Sequence, residues 1–456
     1  MKTKIDLGSE RILPVVCSLA IPTMLAQFVN VLYSIVDRMY IGNIEGIGGL
    51  ALAGVGVCGP VLTLISSFAS LVGLGGSPLI AMFLGRGQRD RAGVVVSNGF
   101  TVLIALAGLL TAICLLSKES LLMLFGASEA TFEYADTYFT IYVSGTVFSL
   151  LATGLNSYLI AQGYSGRAMF TVVLGAVTNI ALDPVLIFLF KMDVSGAAIA
   201  TVISQMCSCA AALFFLLRKS TYVRLKPRRP ETRLILKMLS FGMPSFLILG
   251  LDSVLLIALN SALQRYGGPV EGDILVTCAT IVQSWYSLIT VPMCGITEGA
   301  QPVVSFNFGA GDVQKIRRAI YCIAALSLAY CALMTLASHT VSGLFVGIFS
   351  RDTEIHVRSA SYIKVFTAMI IPLAVQYTIV DELTALGRVR ASLFCSLFRK
   401  ALFLACIFVI PLLAPIQSAF LCEPIADGAG TVLSCFVFVY VFPKALRDCR
   451  AVTETS

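Results

Sequence analysis

Long apolar blocks alternate with short polar stretches along the whole chain. The blocks fall at about 13–37, 51–80, 92–116, 134–160, 169–190 and 194–218, then at 234–262, 273–305, 313–337, 357–385, 391–414 and 421–443. Each reaches the ~18 or more apolar residues that span a bilayer core as a helix. The pattern therefore predicts an all-α, polytopic membrane protein with twelve transmembrane helices. The longest polar stretch between blocks, RKSTYVRLKPRRPETR from Arg218, lies near the middle. It divides the chain into an expected N-terminal six-helix bundle (1–218), a cytoplasmic linker (219–233) and a C-terminal six-helix bundle (234–456). The first block outruns a signal-peptide core and has no small-residue cleavage site after it, so it reads as an uncleaved first helix.

Composition closes off the soluble classes. Hydrophobic residues make up 57% of the chain and charged residues only 12%, with a mean hydropathy of +0.90. A soluble domain carries about 25% charged residues, so a water-facing surface cannot be assembled here. The net charge of +7 points to loops, not to nucleic acid. One set of alternate loops holds Lys2, Lys4, Arg11, Arg86, Arg89, Arg91, Arg167, Arg218 to Lys237, Lys315, Arg317, Arg318, Arg388, Arg390, Lys444, Arg447 and Arg450. The other set is sparse or acidic: Glu45; Lys118 with Glu119, Glu129, Glu133 and Asp136; Lys191 with Asp193; and Arg265 with Glu271 and Asp273. Positively charged loops stay inside, which puts both termini in the cytoplasm and the protein in the cell (inner) membrane. Fourteen cysteines lie mostly inside apolar blocks without a C-x-x-C pair, and there are only two histidines. No cofactor is expected, and no metal site of ordinary spacing.

The two halves repeat. Pro78 and Gly85-Arg86-Gly87 correspond to Pro302 and Gly309-Ala310-Gly311, about 224 residues on, and Gly163 corresponds to Gly387 at the same displacement. Pro22 and Pro244 align at about 222. Several anchors at one displacement indicate duplication. Because each half has an even number of spans, both enter from the same side, as parallel repeats about a pseudo-twofold axis normal to the membrane. Such repeats suit alternating access. The loops GRGQRD and FGAGD follow no strand and lack Lys-Ser/Thr, so tight turns at helix ends account for them better than phosphate cradles.

Ionisable residues inside a span are costly, about 2.5–3.5 kcal/mol at the centre, and mark function by default. In the first half these are Asp37 and Asp183. Asn179 and Asp183 are four apart and share a helix face, and Pro184 frees the carbonyl of Ile180. Asp183 and Thr201 lie seven residues either side of the fifth–sixth hairpin, or ~10 Å from it at 1.5 Å per residue. Asp37 ends an outward-running helix at a similar level. These oxygen-bearing side chains suit Na⁺ or a shared proton. The same spacing also reads as a helix kink capped by Asn179, with Asp37 held at the headgroups by Arg38. In the second half, Glu298 lies ~16 Å from the inner end of its helix, counted from Gly309. With Asp252 it is a candidate for binding a cationic substrate. Asp381 and Glu382 are expected to pair with Arg399 and Lys400 across their hairpin.

Several segments together resemble the multidrug and toxic compound extrusion (MATE) family: YSIVDRMYIGNIEGIGGLALAGVGVCGP around Asp37, NIALDPVLIF with VSGAAIATVISQ, and GAQPVVSFNFGAGD from Gly299. The resemblance covers essentially the whole chain. It implies a V-shaped pair of six-helix bundles, acting as a monomer, that exports small organic cations or amphipathic drugs against an inward Na⁺ or H⁺ gradient. The family's N-terminal cation site falls on Asp37, Asn179, Asp183 and Thr201. Some branches use carboxylates of the C-terminal bundle, for which this chain offers no one-to-one match. The rival within the same superfamily, a lipid-linked oligosaccharide flippase, calls for a strongly cationic cavity, whereas the charges inside the first half lean acidic. A membrane-embedded enzyme would need a nucleophile motif or grouped histidines, and neither is present.

Overall fold

In hydrocarbon every backbone N–H and C=O must find a partner within the protein, and a helix satisfies them locally. The computed structural model describes residues 5–349 and 352–454, and helices dominate it. Lys2 and Lys4, counted above on the cytoplasmic side, lie outside the described residues. Among the described residues, ten spans are long and apolar enough to cross a membrane alone: α1 (Ile12–Gly42), α2 (Gly48–Gly85), α3 (Arg89–Leu116), α5 (Ser165–Leu189), α6 (Asp193–Leu217), α7 (Thr232–Gly268), α8 (Glu271–Ala310), α9 (Val313–Thr340), α11 (Val389–Leu413) and α12 (Ile416–Arg450). Two more are bent pairs, α4 (Glu129–Ser144 with Thr146–Ala161, 54°) and α10 (Thr353–Phe366 with Ile370–Ala385, 48°). Counting each bent pair once gives the twelve expected spans. Short helices, Lys118–Leu124 and Ser342–Phe349, precede the bent spans.

The duplication is written into the turns. Gly87 and Gly311 have φ of +71° and +78°, and Gly163 and Gly387 have +84° and +75°. These left-handed conformations suit glycine. Each closes a helix in the same way: the amide after the glycine reaches back five residues, Gln88 to Phe83 O (2.8 Å), Asp312 to Asn307 O (3.0 Å), Tyr164 to Leu159 O (3.0 Å) and Arg388 to Leu383 O (2.7 Å). This is the bonding of a Schellman cap, and it is why the GRG and GAG loops exist.

The contacts group the helices into two units. Among the described residues, one takes Leu25–Leu249 with 5–8, and the other takes Ser9–Met24 with those from Gly250 on. The first part of α1 thus packs with the second unit, and the first part of α7 with the first. Small residues let these segments in, as they do in membrane helix packing generally. A Cβ at Gly75 of α2 would stand 2.2 Å from Met238 O, and one at Gly242 of α7 would stand 1.8 Å from Leu71 O. The repeat shows the same device: Gly299 of α8 lies against Thr23, and Gly295 lies against Met24.

The polar stretch before α7 is held to the first unit. Arg228 pairs with Asp90 at 2.9 Å, Asn98 bonds the backbone of Glu231 in both directions at 3.3 Å, and Gln162 accepts from Val223 N at 2.8 Å.

Candidate functional site

In the first unit, α5 and α6 approach closely because Gly175 has no side chain; a Cβ there would lie 2.1 Å from Ser208 Oγ. Ser208 in turn donates to Thr171 O at 3.0 Å. Four residues on from Gly175, Asn179 faces α6 and is 1% exposed. Its Nδ2 donates to Asp183 Oδ1 at 3.2 Å and lies 3.5 Å from Thr201 Oγ1. The Thr201 hydroxyl gives its proton to Ala197 O at 2.9 Å, which leaves lone pairs toward the amide. Asp183 is fully buried. Pro184 ends the α-helical hydrogen bonding after it, and α5 continues as a π-turn over Val185–Leu189, a geometry common at functional sites.

Asp37 belongs to the interior of α1, which runs on to Gly42, so it does not end its helix as expected. It is half-buried, and its carboxyl and that of Asp183 are within hydrogen-bonding reach of each other. The structure thus brings Asp37, Asn179, Asp183 and Thr201 together. Three of their oxygens, Asp37 Oδ1, Asn179 Oδ1 and Asp183 Oδ2, are buried without a protein partner. Leaving buried polar atoms unpaired costs roughly 1–3 kcal/mol each. Two adjacent carboxyls also repel unless a proton or cation lies between them. The oxygen donor set therefore fits a hard monovalent cation or a proton.

The spacing of the chain did not single out the tyrosines around this group. Tyr138 on α4 is in hydrogen-bonding reach of Thr201 and stacks with Tyr142 (6.1 Å, 22°). Tyr142 OH accepts from Gln205 Nε2 at 3.1 Å, and Tyr33 sits within the field of both carboxyls. Tyr33 and Gln205 were findable, being one helical turn from Asp37 and Thr201. Tyr138 and Tyr142 come from a distant span and leave no local signal.

The second unit is arranged differently. Asp252 is ion-paired to Lys400, while Glu298 on α8 lies in the field of Asp381 on α10. Asp252 and Glu298 therefore have different electrostatic partners. The expected pairing of Asp381 and Glu382 with Arg399 and Lys400 is not what forms. Arg399 Nη1 bonds Glu423 Oε1 at 3.0 Å and Asp427 Oδ1 at 2.8 Å, both on α12. Adjacent helical residues point about 100° apart, so Arg399 faces α12 while Lys400 turns toward α7. Asp381 lies near Thr297, whose hydroxyl donates to Cys294 O at 3.3 Å, and Glu382 is fully buried with both oxygens unpartnered. Glu423 and Asp427 were overlooked because they lie in the leading turns of an apolar block that reads as an ordinary span. Among the described residues, no group of three or more His, Cys, Asp or Glu is placed to hold a metal ion.

A duplicated set of six spans with carboxyl and amide groups buried between its helices defines the class: a multi-span membrane transporter, not an enzyme. The MatE family model matches residues 22–185 and again 244–410, and the chain belongs to that family. It is 24% identical over 448 residues to the multidrug export protein MepA of Staphylococcus haemolyticus (strain JCSC1435), covering 96% of this chain and 94% of the relative. MepA of Staphylococcus aureus (strain NCTC 8325 / PS 47) is likewise 24% identical over 447 residues, with the same coverage. Among solved structures, the outward-facing conformation of a multidrug resistance MATE family transporter of the MOP superfamily superposes with a TM-score of 0.89 at 21% identity, covering 100% of this chain and 99% of that one. A MOP superfamily transporter from Pyrococcus furiosus Vc1 (DSM3638) gives 0.90 at 22% identity, covering 98% and 99%.

Proposed function

We propose that this transporter exports small organic cations or amphipathic drugs across the cell membrane in exchange for Na⁺ or H⁺. The observation that carries the reading is the convergence of Asp37, Asn179, Asp183 and Thr201 on one buried spot with three oxygens unpartnered. Relatives along nearly the full length are named multidrug export proteins, which supports the substrate class. The basic loops support cytoplasmic termini.

A cation or proton arriving at the site cancels the repulsion between the Asp37 and Asp183 carboxyls and satisfies the open oxygens. Its departure restores both penalties. The packing of α1 against α5 and α6 therefore has two preferred arrangements, one for each state. Export follows if the organic substrate binds better to the arrangement the ion disfavours, because coupling needs only opposite preferences of two ligands for two states. The π-turn after Pro184 and the proline at position 22 of α1 are the places where these helices can bend.

Dye efflux from vesicles under separately imposed Na⁺ and pH gradients tests the reading. One of the two gradients is expected to drive uphill efflux from wild-type vesicles. Efflux that ignores both gradients overturns it.

A further inference from the structure

The second unit contains a buried ionic group that the proposed export cycle does not use. On α12, Glu423 and Asp427 are one turn apart and 7% and 0% exposed; Arg399 on α11 is 5% exposed. The two N–H groups of Arg399 Nη1 are both spent, one on each carboxylate. Tyr286 of α8 completes the group. Its hydroxyl oxygen lies 2.7 Å from Glu423 Oε1 and 3.5 Å from Asp427 Oδ2.

Two features of this geometry require one more proton than the side chains supply when both acids are ionised. The first is hydrogen-bond counting. A phenol has a single proton to donate, and the shorter contact assigns it to Glu423. Asp427 Oδ2, 3.5 Å from the phenol oxygen, receives no proton from Tyr286 and can close the circuit only with a proton of its own. The second is charge counting. Arg399 and Lys400 face Asp252, Glu423 and Asp427, and Lys400 is already paired with Asp252. One negative charge is left over in a buried place, where an uncompensated ion costs several kcal/mol. The other groups acting on the cluster, Tyr377 of α10 and Cys294 of α8, bring no positive charge.

We propose that Tyr286, Arg399, Glu423 and Asp427 form a proton-binding site in the C-terminal half, holding one exchangeable proton on Asp427 Oδ2. The occupied site is a closed circuit: Asp427 donates to Tyr286, Tyr286 donates to Glu423, and Arg399 donates to both acids. Loss of the proton leaves Asp427 ionised against the phenol lone pair and turns the neutral group into an anion. This site is built from α8, α11 and α12, and it stands whether or not Asp37 and Asp183 couple transport.

Infrared spectroscopy of the carboxylic-acid C=O stretch in the purified full-length protein in detergent tests it. Wild type is expected to show an acid band that moves in D₂O and shifts with Tyr286→Phe. The same band should be lost in Asp427→Asn and kept in Asp37→Asn. Tyr286→Phe preserves the ring and decides the matter if Asp427→Asn does not fold. A folded Asp427→Asn protein with every acid band intact, a band that ignores D₂O, or acid bands that all ignore Tyr286→Phe would each overturn the proposal.

Discussion

The two halves descend from one six-helix plan, yet only the second places basic side chains against some of its buried carboxyls. In the first unit, Asp37 and Asp183 are brought together with Asn179 and Thr201; among the described residues neither carboxyl forms an ion pair, and Arg38 acts on Asp37 only through its field. In the second unit, Arg399 lies between Glu423 and Asp427, and Lys400 meets Asp252. Under the proposed coupling a visiting ion is the counter-charge of the first half, while α11 supplies cations to Asp252, Glu423 and Asp427 of the second and leaves Glu382 with both oxygens unpartnered.

The sharpest way to break this contrast is to remove one charged group from each half. Asp37→Asn is expected to bring gradient-driven dye efflux down to the background of empty vesicles while leaving the protein folded, as judged by thermal unfolding. Full efflux by that variant would mean the open carboxyls are not the coupling site. Arg399→Met should act the other way round. It leaves Glu423 and Asp427 facing each other without their cation, and breaking such a buried pair costs about 3–5 kcal/mol, visible as a large drop in Tm. The triple change with Glu423→Gln and Asp427→Asn should recover most of that loss.

Smaller changes sharpen the comparison. Thr201→Ala removes one neutral ligand, worth about 1 kcal/mol. The ion concentration for half-maximal efflux should therefore rise about fivefold with the maximal rate kept. Lys400→Met should cost about 1 kcal/mol or less, since Asp252 is nearly half exposed and solvent screens such pairs. An unchanged half-maximal concentration in the first case, or a loss as large as that of Arg399→Met in the second, would blur the division between an open and a filled half.

Much of this was legible in the chain. The spans follow from block length. The turns at Gly87, Gly163, Gly311 and Gly387 follow from glycine spacing, since each occupies the left-handed position that closes a helix. The adjacency of Asn179 and Asp183 is a one-turn relation. What the sequence hid depends on rotation and distance. The 54° and 48° bends of α4 and α10 interrupt blocks that read as continuous. The partners of Arg399 and Lys400 are set by which way each side chain leaves α11, a matter of helix packing and not of nearness along the chain. Tyr138 and Tyr142 reach Thr201 and Gln205 from another span, and nothing local announces them.

The most direct test is the number of coupling ions bound by the purified protein at saturation, measured for whichever of Na⁺ or H⁺ drives efflux. Wild type should bind one ion more than the Asp37→Asn variant. Equal stoichiometry in two folded proteins would contradict the claim that these side chains share an ion.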